Sequence, residues 1–296
     1  MKLRVFAIGV CLAALSACSG FQPATLAPYA ATASRPDATH GDLLYISDLG
    51  ANAVLYYTYP QGKLVGKLTG FGSVATLCAD KGGDIFVVDF TGPVDVYAHG
   101  GTTPIRTLAG SGAPNGCAID PTTGDLAVTN ESSYVYGTIS VYPKAKGKPK
   151  IYYNSQVDAT FYCGYDDHGN LFIDGWNRSG VVILLELPKG SSQFKIVSLD
   201  HTIQKPGGLL WDGKYIAISD EGTAAIDRMT PIGKVMGVVK LHNGAGVNQF
   251  WLQGSALIGP NAKNKGTVPF WHYPGGGSPF QTITGFYYPI GATISI

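Results

Sequence analysis

From Leu43 onward the chain alternates short apolar runs with clusters of Gly, Asp, Asn, Pro and Thr, and the stretch Ser73 to Gly110 shows the plan in full. An apolar run from Val74 to Ala79 meets the turn Asp80-Lys81-Gly82-Gly83-Asp84. A second, Ile85 to Val88, stops at Asp89; a third, Val94 to Tyr97, follows Thr91-Gly92-Pro93; Ile105 to Leu108 makes a fourth. Each junction has residues suited to a turn: Gly tolerates positive φ, Pro presets φ, and Asp bonds backbone N–H groups ahead of it. Four antiparallel strands per unit predict a propeller blade.

The second strand of this unit recurs as Leu44-Tyr45-Ile46-Ser47-Asp48, Ile85-Phe86-Val87-Val88-Asp89, Leu126-Ala127-Val128-Thr129-Asn130, Leu171-Phe172-Ile173-Asp174-Gly175, Ile216-Ala217-Ile218-Ser219-Asp220 and Ala256-Leu257-Ile258-Gly259-Pro260. The intervals are 41, 41, 45, 45 and 40 residues. Six occurrences predict six blades. Both faces of these strands are apolar, as expected when each blade is packed between two others. The fourth strands (Lys63 to Leu68, Ile105 to Leu108, Pro149 to Tyr153, Phe194 to Leu199, Val235 to Lys240, Phe280 to Thr284) are more polar, which blunts an exposed sheet edge. The first recognisable strand is of the second-strand type, so blade one has no innermost strand at its N-terminal side. Pro289 to Ile296 repeats the Pro-x-Gly opening and apolar triplet of Pro114 to Ile119 and then stops. It is predicted to pair antiparallel with Leu43 to Asp48 and close the ring. The fold class is therefore all-β: a six-bladed β-propeller, four antiparallel strands per blade, closed by the C-terminal strand completing the first blade.

Composition agrees with one compact domain over residues 41–296. Charged residues are 14%, against about a quarter in an average chain, and there are 40 glycines and 17 tyrosines. Residues 1–18 have a basic start (Lys2, Arg4), an apolar stretch Val5 to Ala14 and small residues before Cys18, the pattern of an export leader. Residues 19–40, rich in Ala, Thr, Ser and Pro with almost no charge, are expected to form a disordered tether. Cleaving Lys2 and Arg4 away with the leader reduces 21 basic residues to 19 against 20 acidic ones. No nucleic-acid partner is expected, because phosphate binding needs a basic face. A monomer is expected.

Two resemblances extend this reading. Leu15-Ser16-Ala17-Cys18 resembles the bacterial lipobox, which implies diacylation of Cys18, export, and a lipid anchor in the cell envelope, with Ser19 pointing to the outer rather than the inner membrane. Pro114-Asn115-Gly116-Cys117-Ala118-Ile119-Asp120 followed by Pro121-Thr122-Thr123-Gly124, and Pro206-Gly207-Gly208-Leu209-Leu210-Trp211-Asp212, resemble the NHL-type propeller repeat over about residues 41 to 296. Blades four and six depart from it: Asp174 sits one place early, and Gln253 stands where Asp would open a turn. The resemblance implies the fold strongly and the function weakly, since binding proteins, lyases and, among related six-bladed propellers, lactonases share the architecture.

Candidate chemistry lies on the rim formed by loops joining second to third strands and loops entering the next innermost strand. Strand-ending Asp and Asn residues read first as turn caps. The longer loops Glu131 to Gly137 and Gly175 to Gly180 are better candidates. Trp176 and Arg178 are suited to a planar or anionic ligand, and the Trp is equally suited to covering the channel mouth. Asn115, Asn130, Glu131, Asp158, His201 and Asn248 complete the candidate ligand-binding set. No cofactor is expected on the leading reading. The lactonase-like propellers hold a hard divalent cation such as calcium through Glu, Asn and Asp oxygens on this rim, which Asn115, Asn130, Glu131, Asp158, Asn248 and Asp220 would supply under that alternative. No catalytic residue is assigned. The chain lacks a Gly-x-Ser-x-Gly elbow and a His-x-x-x-His pair, and Gly110-Ser111-Gly112 is followed by Asn115 where a dinucleotide fingerprint needs Gly. Cys78, Cys117 and Cys163 are expected as buried thiols in innermost strands; a bridge between the equivalent Cys117 and Cys163 is conceivable but should span too far. The leading expectation is a non-catalytic, membrane-anchored propeller binding a small molecule, glycan or protein at its rim. The alternatives are a metal-dependent lactonase-like hydrolase or propeller lyase, and a structural scaffold.

Overall fold

The computed structural model describes residues 41–110, 112–131, 136–263 and 266–296. The leader, Cys18 and the tether lie outside these residues, as does part of the Glu131 to Gly137 loop. Strands β1 (Leu43–Asp48), β2 (Ala53–Thr58) and β3 (Leu64–Leu68) open the chain. Blade two is β4 (Val74–Ala79), β5 (Ile85–Asp89), β6 (Val94–Tyr97) and β7 (Pro104–Leu108). Blade three is β8 (Ala113–Ile119), β9 (Leu126–Glu131), β10 (Thr138–Tyr142) and β11 (Lys150–Tyr153). Blade four is β12 (Ala159–Tyr165), β13 (Leu171–Trp176), β14 (Val182–Leu187) and β15 (Lys195–Val197). Blade five is β16 (Pro206–Trp211), β17 (Ile216–Asp220), β18 (Ala225–Met229) and β19 (Val235–Lys240). Blade six is β20 (Trp251–Gln253), β21 (Ala256–Ile258), β22 (Val268–His272) and β23 (Gly276–Ile283), and β24 (Pro289–Ser295) ends the chain. No helix among the described residues is long and apolar enough to cross a membrane.

The strands form six four-stranded antiparallel sheets, and the first has the order β24-β1-β2-β3. Leu43 faces Ser295 and Asp48 faces Pro289, so the C-terminal strand completes blade one as the Pro-x-Gly repeat predicts. Ser295 fixes it to the next blade: its Oγ donates to the Gly83 carbonyl at 2.6 Å and lies 2.6 Å from His99 Nδ1. Blade six is the least regular. Its second strand ends at Ile258 because Pro260 has no N–H to extend the ladder, and its fourth strand starts at Gly276, earlier than the apolar pattern suggested.

Burial explains why both faces of the inner strands are apolar. Every residue of β1, β5, β17 and β24 is buried, whereas β7, β15 and β23 carry exposed positions. The core is divided into layers between blades. Phe86, Val88 and Val96 of blade two meet Cys117, Leu126, Val128 and Tyr142 of blade three. Ile258, Val268 and Phe270 of blade six meet Leu44, Ile46 and Ile294 across the closing seam. Fully burying one such side chain contributes roughly 1.5–3 kcal/mol, so every seam is a substantial share of the stability.

The cysteines correct one expectation. Cys78 and Cys117 form a disulfide with their Cα atoms 5.9 Å apart, and Cys163 is the free, buried thiol. Side chains alternate across a strand, so equivalent residues in successive blades point the same way round the ring and cannot meet. Cys117 and Cys163 both face backward, their Sγ atoms near the Phe86 and Ala127 carbonyls of the preceding blades. Cys78 stands one register place on, opposite Phe86 where Cys117 is opposite Val128, and therefore faces forward. The offset makes the bridge possible, and inner strands converge enough near the axis to permit it.

Candidate functional site

The antiparallel connectivity puts all second-to-third loops and all loops entering an inner strand on one rim. In blades one, two and five the second strand ends in an Asp that ties these two loops together. Asp48 accepts from the N–H groups of Tyr288 at 2.7 Å, Tyr287 at 2.9 Å and Ala51 at 3.2 Å. Asp89 accepts from Gly72 at 2.6 Å, Thr91 at 2.8 Å and Ser73 at 3.0 Å. Asp220 accepts from Gly222 at 3.0 Å and from Gln204 and Lys205 at 3.1 Å. Burial works to raise the Asp89 carboxyl, but the donors from Thr91, Gly72 and Ser73 outweigh it and hold the group below its ordinary range. These carboxylates are caps, as their turn positions suggested, and they also bind the incoming chain to its blade.

Blade four lacks this clamp because its Asp stands one residue early. Asp174 occupies the register place of Thr129 in blade three and Ser219 in blade five. Thr129 Oγ1 accepts from the Gly116 N–H at 2.8 Å and donates to the Phe161 carbonyl of the next blade at 2.6 Å; Ser219 Oγ donates to the Val247 carbonyl at 2.7 Å. Asp174 Oδ1 accepts from the Tyr162 N–H at 2.8 Å, but Oδ2, which has no proton to give when ionised, has no hydrogen-bond partner among the described residues. Burial pushes the Asp174 carboxyl well above the ordinary carboxylate range, favouring the neutral acid.

The candidate residues separate accordingly. Asn130 is buried and turned into its blade, its Nδ2 3.0 Å from Ser140 Oγ. Asn115 is buried, and its carbonyl accepts from Thr76 Oγ1; the Asn248 carbonyl accepts from the Gly208 N–H at 2.8 Å. Glu131 is exposed at the end of β9. His201 stands apart in a groove of about 320 Å3 lined by Val182, Ile183, Ile196, Leu199 and Ile203, with its Nε2 3.5 Å from the buried Asp227.

Asp158, Trp176 and Arg178 do come together. The Asp158 N–H donates to the Trp176 carbonyl at 2.9 Å, and Arg178 Nε lies 3.5 Å from Asp158 Oδ2. The Trp176 ring, 36% exposed as a residue, packs against Phe161 with centroids 5.0 Å apart and planes at 78°. Phe161 and Tyr162 sit in the β12 bulge between Thr160 and Cys163, where inner-strand pairing is interrupted. Burial drives the Tyr162 phenol far above its ordinary pKa, and the charges of Glu221, Asp174 and Glu131 add to the effect. Glu221 is itself buried and paired with Lys205 Nζ at 2.6 Å. The rim of blade four, with Glu221 of blade five, is thus an aromatic and acidic cluster, and Trp176, expected in a loop, is the last residue of β13.

The ring is bridged on its inside by Gln249. From blade six its Oε1 accepts from the Leu77 N–H at 3.2 Å and its Nε2 donates to the Leu77 carbonyl at 2.8 Å, in blade two. The side chain passes over Gly291 of β24, where a Cβ would lie 2.6 Å from Oε1. Only glycine permits this crossing.

On the opposite rim, a groove of about 340 Å3 lies between blades three and four, lined among others by Asp120, Asp125, Lys150, Tyr152, Tyr165 and Lys189. Asp166, Asp167 and His168 in the adjoining turn have potential ligand atoms within 4.8 Å of one another. Asp166 Oδ1, however, already caps the N–H groups of Asn170 at 2.8 Å and His168 at 2.9 Å.

No protein-family model and no curated protein matches this chain. Among solved structures, it is similar to a protein of unknown function from Bacteroides caccae, with a TM-score of 0.65 at 15% identity over 86% of this chain and 98% of that one. The likeness concerns the fold alone.

Proposed function

We propose that the protein is a non-catalytic binding propeller of the bacterial cell envelope, anchored through a lipidated Cys18 and built from NHL-like repeats. Its contact surface is the blade-four sector of the loop-rich rim, where it takes a planar or anionic group of a small molecule, glycan or protein. The observation that carries this reading is the half-exposed Trp176, held edge-on by Phe161 beside the Arg178 and Asp158 pair. A fixed indole next to a guanidinium offers a stacking face and a charge without further ordering cost. The lactonase-like alternative is less well supported, because Glu131, Asp158 and Asp220 form no cluster at metal-ligand distance among the described residues, although the buried Asn130 Oδ1 has no hydrogen-bond partner there. Asp220 already accepts three backbone N–H groups, and Arg178 Nε lies 3.5 Å from Asp158 Oδ2.

The test is a thermal-shift and Trp-fluorescence screen of the full chain against sugars, lactones, organic anions and calcium. A ligand at 100 times its dissociation constant is expected to add about 2.7 kcal/mol of stability. Trp176→Ala with Arg178→Ala should abolish the shift and lower the stability of the unliganded fold by only about 1–2 kcal/mol, chiefly the lost Phe161 contact. Binding that survives the double variant rejects the rim site. Calcium-dependent lactone hydrolysis would turn the assignment to the enzyme alternative, and retention of a Cys18→Ser variant in membranes of a native host would reject the anchor.

A further inference from the structure

The groove on the opposite rim has its own recognition chemistry, independent of the blade-four rim. Four turns build it, two from blade three and two from blade four. Its floor is apolar, from Val141, Leu171 and Leu187, and the rings of Tyr152 and Tyr165 line it. Its volume of about 340 Å3 falls in the range of small-molecule pockets.

The polar groups are of both kinds and balanced in charge. Lys150 Nζ lies 5.7 Å above the Tyr152 ring, and Lys189 Nζ donates to Thr122 Oγ1 at 2.9 Å with N–H groups remaining. Asp125 uses Oδ1 to accept from the Lys144 N–H at 2.8 Å. Asp120 is occupied by its own turn, accepting from the Thr122 N–H and Oγ1 at 2.7 Å and from Thr123 Oγ1 at 2.8 Å. Two ammonium groups and two carboxylates thus line one groove. Tyr165 is the unusual member. Burial raises its phenol pKa strongly, yet its hydroxyl makes no hydrogen bond among the described residues. The hydroxyl is not sealed from solvent and is therefore free to donate to and accept from a ligand in the groove.

We propose that this groove is a binding site for a neutral saccharide. A polyhydroxyl ligand needs donors and acceptors together with an apolar wall; the lysines, Asp125 and the Tyr165 hydroxyl provide the first, and the Tyr165 ring with Val141, Leu171 and Leu187 the second. An anion would meet Asp120 and Asp125, a cation would meet Lys150 and Lys189, and a wholly apolar ligand would leave four charged groups and a phenol unanswered.

The test is calorimetry and saturation-transfer NMR on the full chain with cellobiose, maltose and chitobiose as neutral probes, glucuronate as the anionic probe and glucosamine as the cationic one. At least one neutral disaccharide is expected to bind with a dissociation constant of about 1 mM or tighter. Tyr165→Phe, which removes only the unpartnered hydroxyl and so preserves the fold, should weaken it about fivefold to tenfold, as should Lys189→Ala, while Trp176→Ala should leave it unchanged. The proposal is overturned if no neutral probe binds at about 20 mM, if Tyr165→Phe and Lys189→Ala leave binding unaltered, or if glucuronate or glucosamine binds more tightly than every neutral probe.

Discussion

Blades two and four follow one strand plan and treat their rims in opposite ways. In blade two, Asp89 gathers three backbone N–H groups from two loops, and the seam to blade three is covalently bridged by Cys78 and Cys117. In blade four, the Asp has moved one place along the strand, the two loops meet through the Asp158 and Trp176 backbone, and the seam to blade three has the free thiol of Cys163. The displaced carboxyl now lies between blades, and the rim it no longer clamps carries the aromatic and charged cluster. A repeat that gives up its structural cap is the one available for recognition, because its loop side chains no longer have to serve the blade.

The largest expected effect comes from removing a clamped blade's inner strand. Deleting Pro289 to Ile296 takes Ile290, Ala292 and Ile294 out of the core and leaves β1 unpaired on one side, so the chain should misfold or aggregate. A truncated chain that melts like the intact one would break the closure account and the importance given to the seams.

The seam contrast can be sharpened by copying it. Ala118 of blade three stands in the register place of Cys78 and packs with Cys163. Ala118→Cys, oxidised with glutathione disulfide, should therefore form a second bridge, read as a mass loss of two hydrogens and the disappearance of the titratable Cys163 thiol. By analogy with other cross-links it should add about 2 kcal/mol. A thiol that stays reactive in the unfolded variant would show that the offset rule taken from Cys78 and Cys117 does not carry to the next seam.

An effect no larger, and of opposite sign in the two blades, is expected from the carboxylates. Asp89→Ala should cost about 2 kcal/mol at neutral pH by orphaning backbone donors. Because the folded Asp89 pKa is depressed, its contribution is present above the unfolded value near 4 and is lost as pH falls through the folded value. Asp174 has a raised folded pKa, so its stabilisation is complete below about 4 and is lost as pH rises toward the folded value. Asp174→Asn, whose amide can donate where the ionised acid cannot, should raise the neutral-pH melting temperature and make no difference at acid pH. Denaturant melts across pH check both, and parallel pH profiles for the two variants would contradict the contrast.

The sequence exposes the parts of this molecule that are periodic. Six second strands, the turn chemistry between them and the Pro-x-Gly opening at Pro289 are local patterns, and they were enough to place β24 beside β1. What they do not expose depends on how successive blades face one another. The disulfide follows an offset of one register place, invisible when Cys117 is aligned with its equivalent Cys163. Gln249 reaches Leu77 across a third blade, with Gly291 as the sole local hint. Phe161 sits beside Trp176 because a bulge lies between Thr160 and Cys163, and no apolar period marks a bulge. The saccharide-type groove draws on four separate turns of two blades, on the rim where no long loop drew attention. Of the rim candidates, Trp176, Arg178 and Asp158 are near in sequence or joined by one strand pair, and these are the ones that converge.

The pairing of Leu43 with Ser295 also fixes the order in which the molecule can be finished. During synthesis β1, β2 and β3 emerge first, yet the strand that covers the inner edge of β1 follows all the other described strands. Blades two to six can each form from contiguous chain, whereas blade one waits with an open edge until β24 has followed them. Contacts of such sequence separation are slow to form, and the waiting edge is the surface most exposed to wrong pairing. The ring is therefore a topology whose final step is the joining of its two ends, and any factor that shields the early strands would act at that interval.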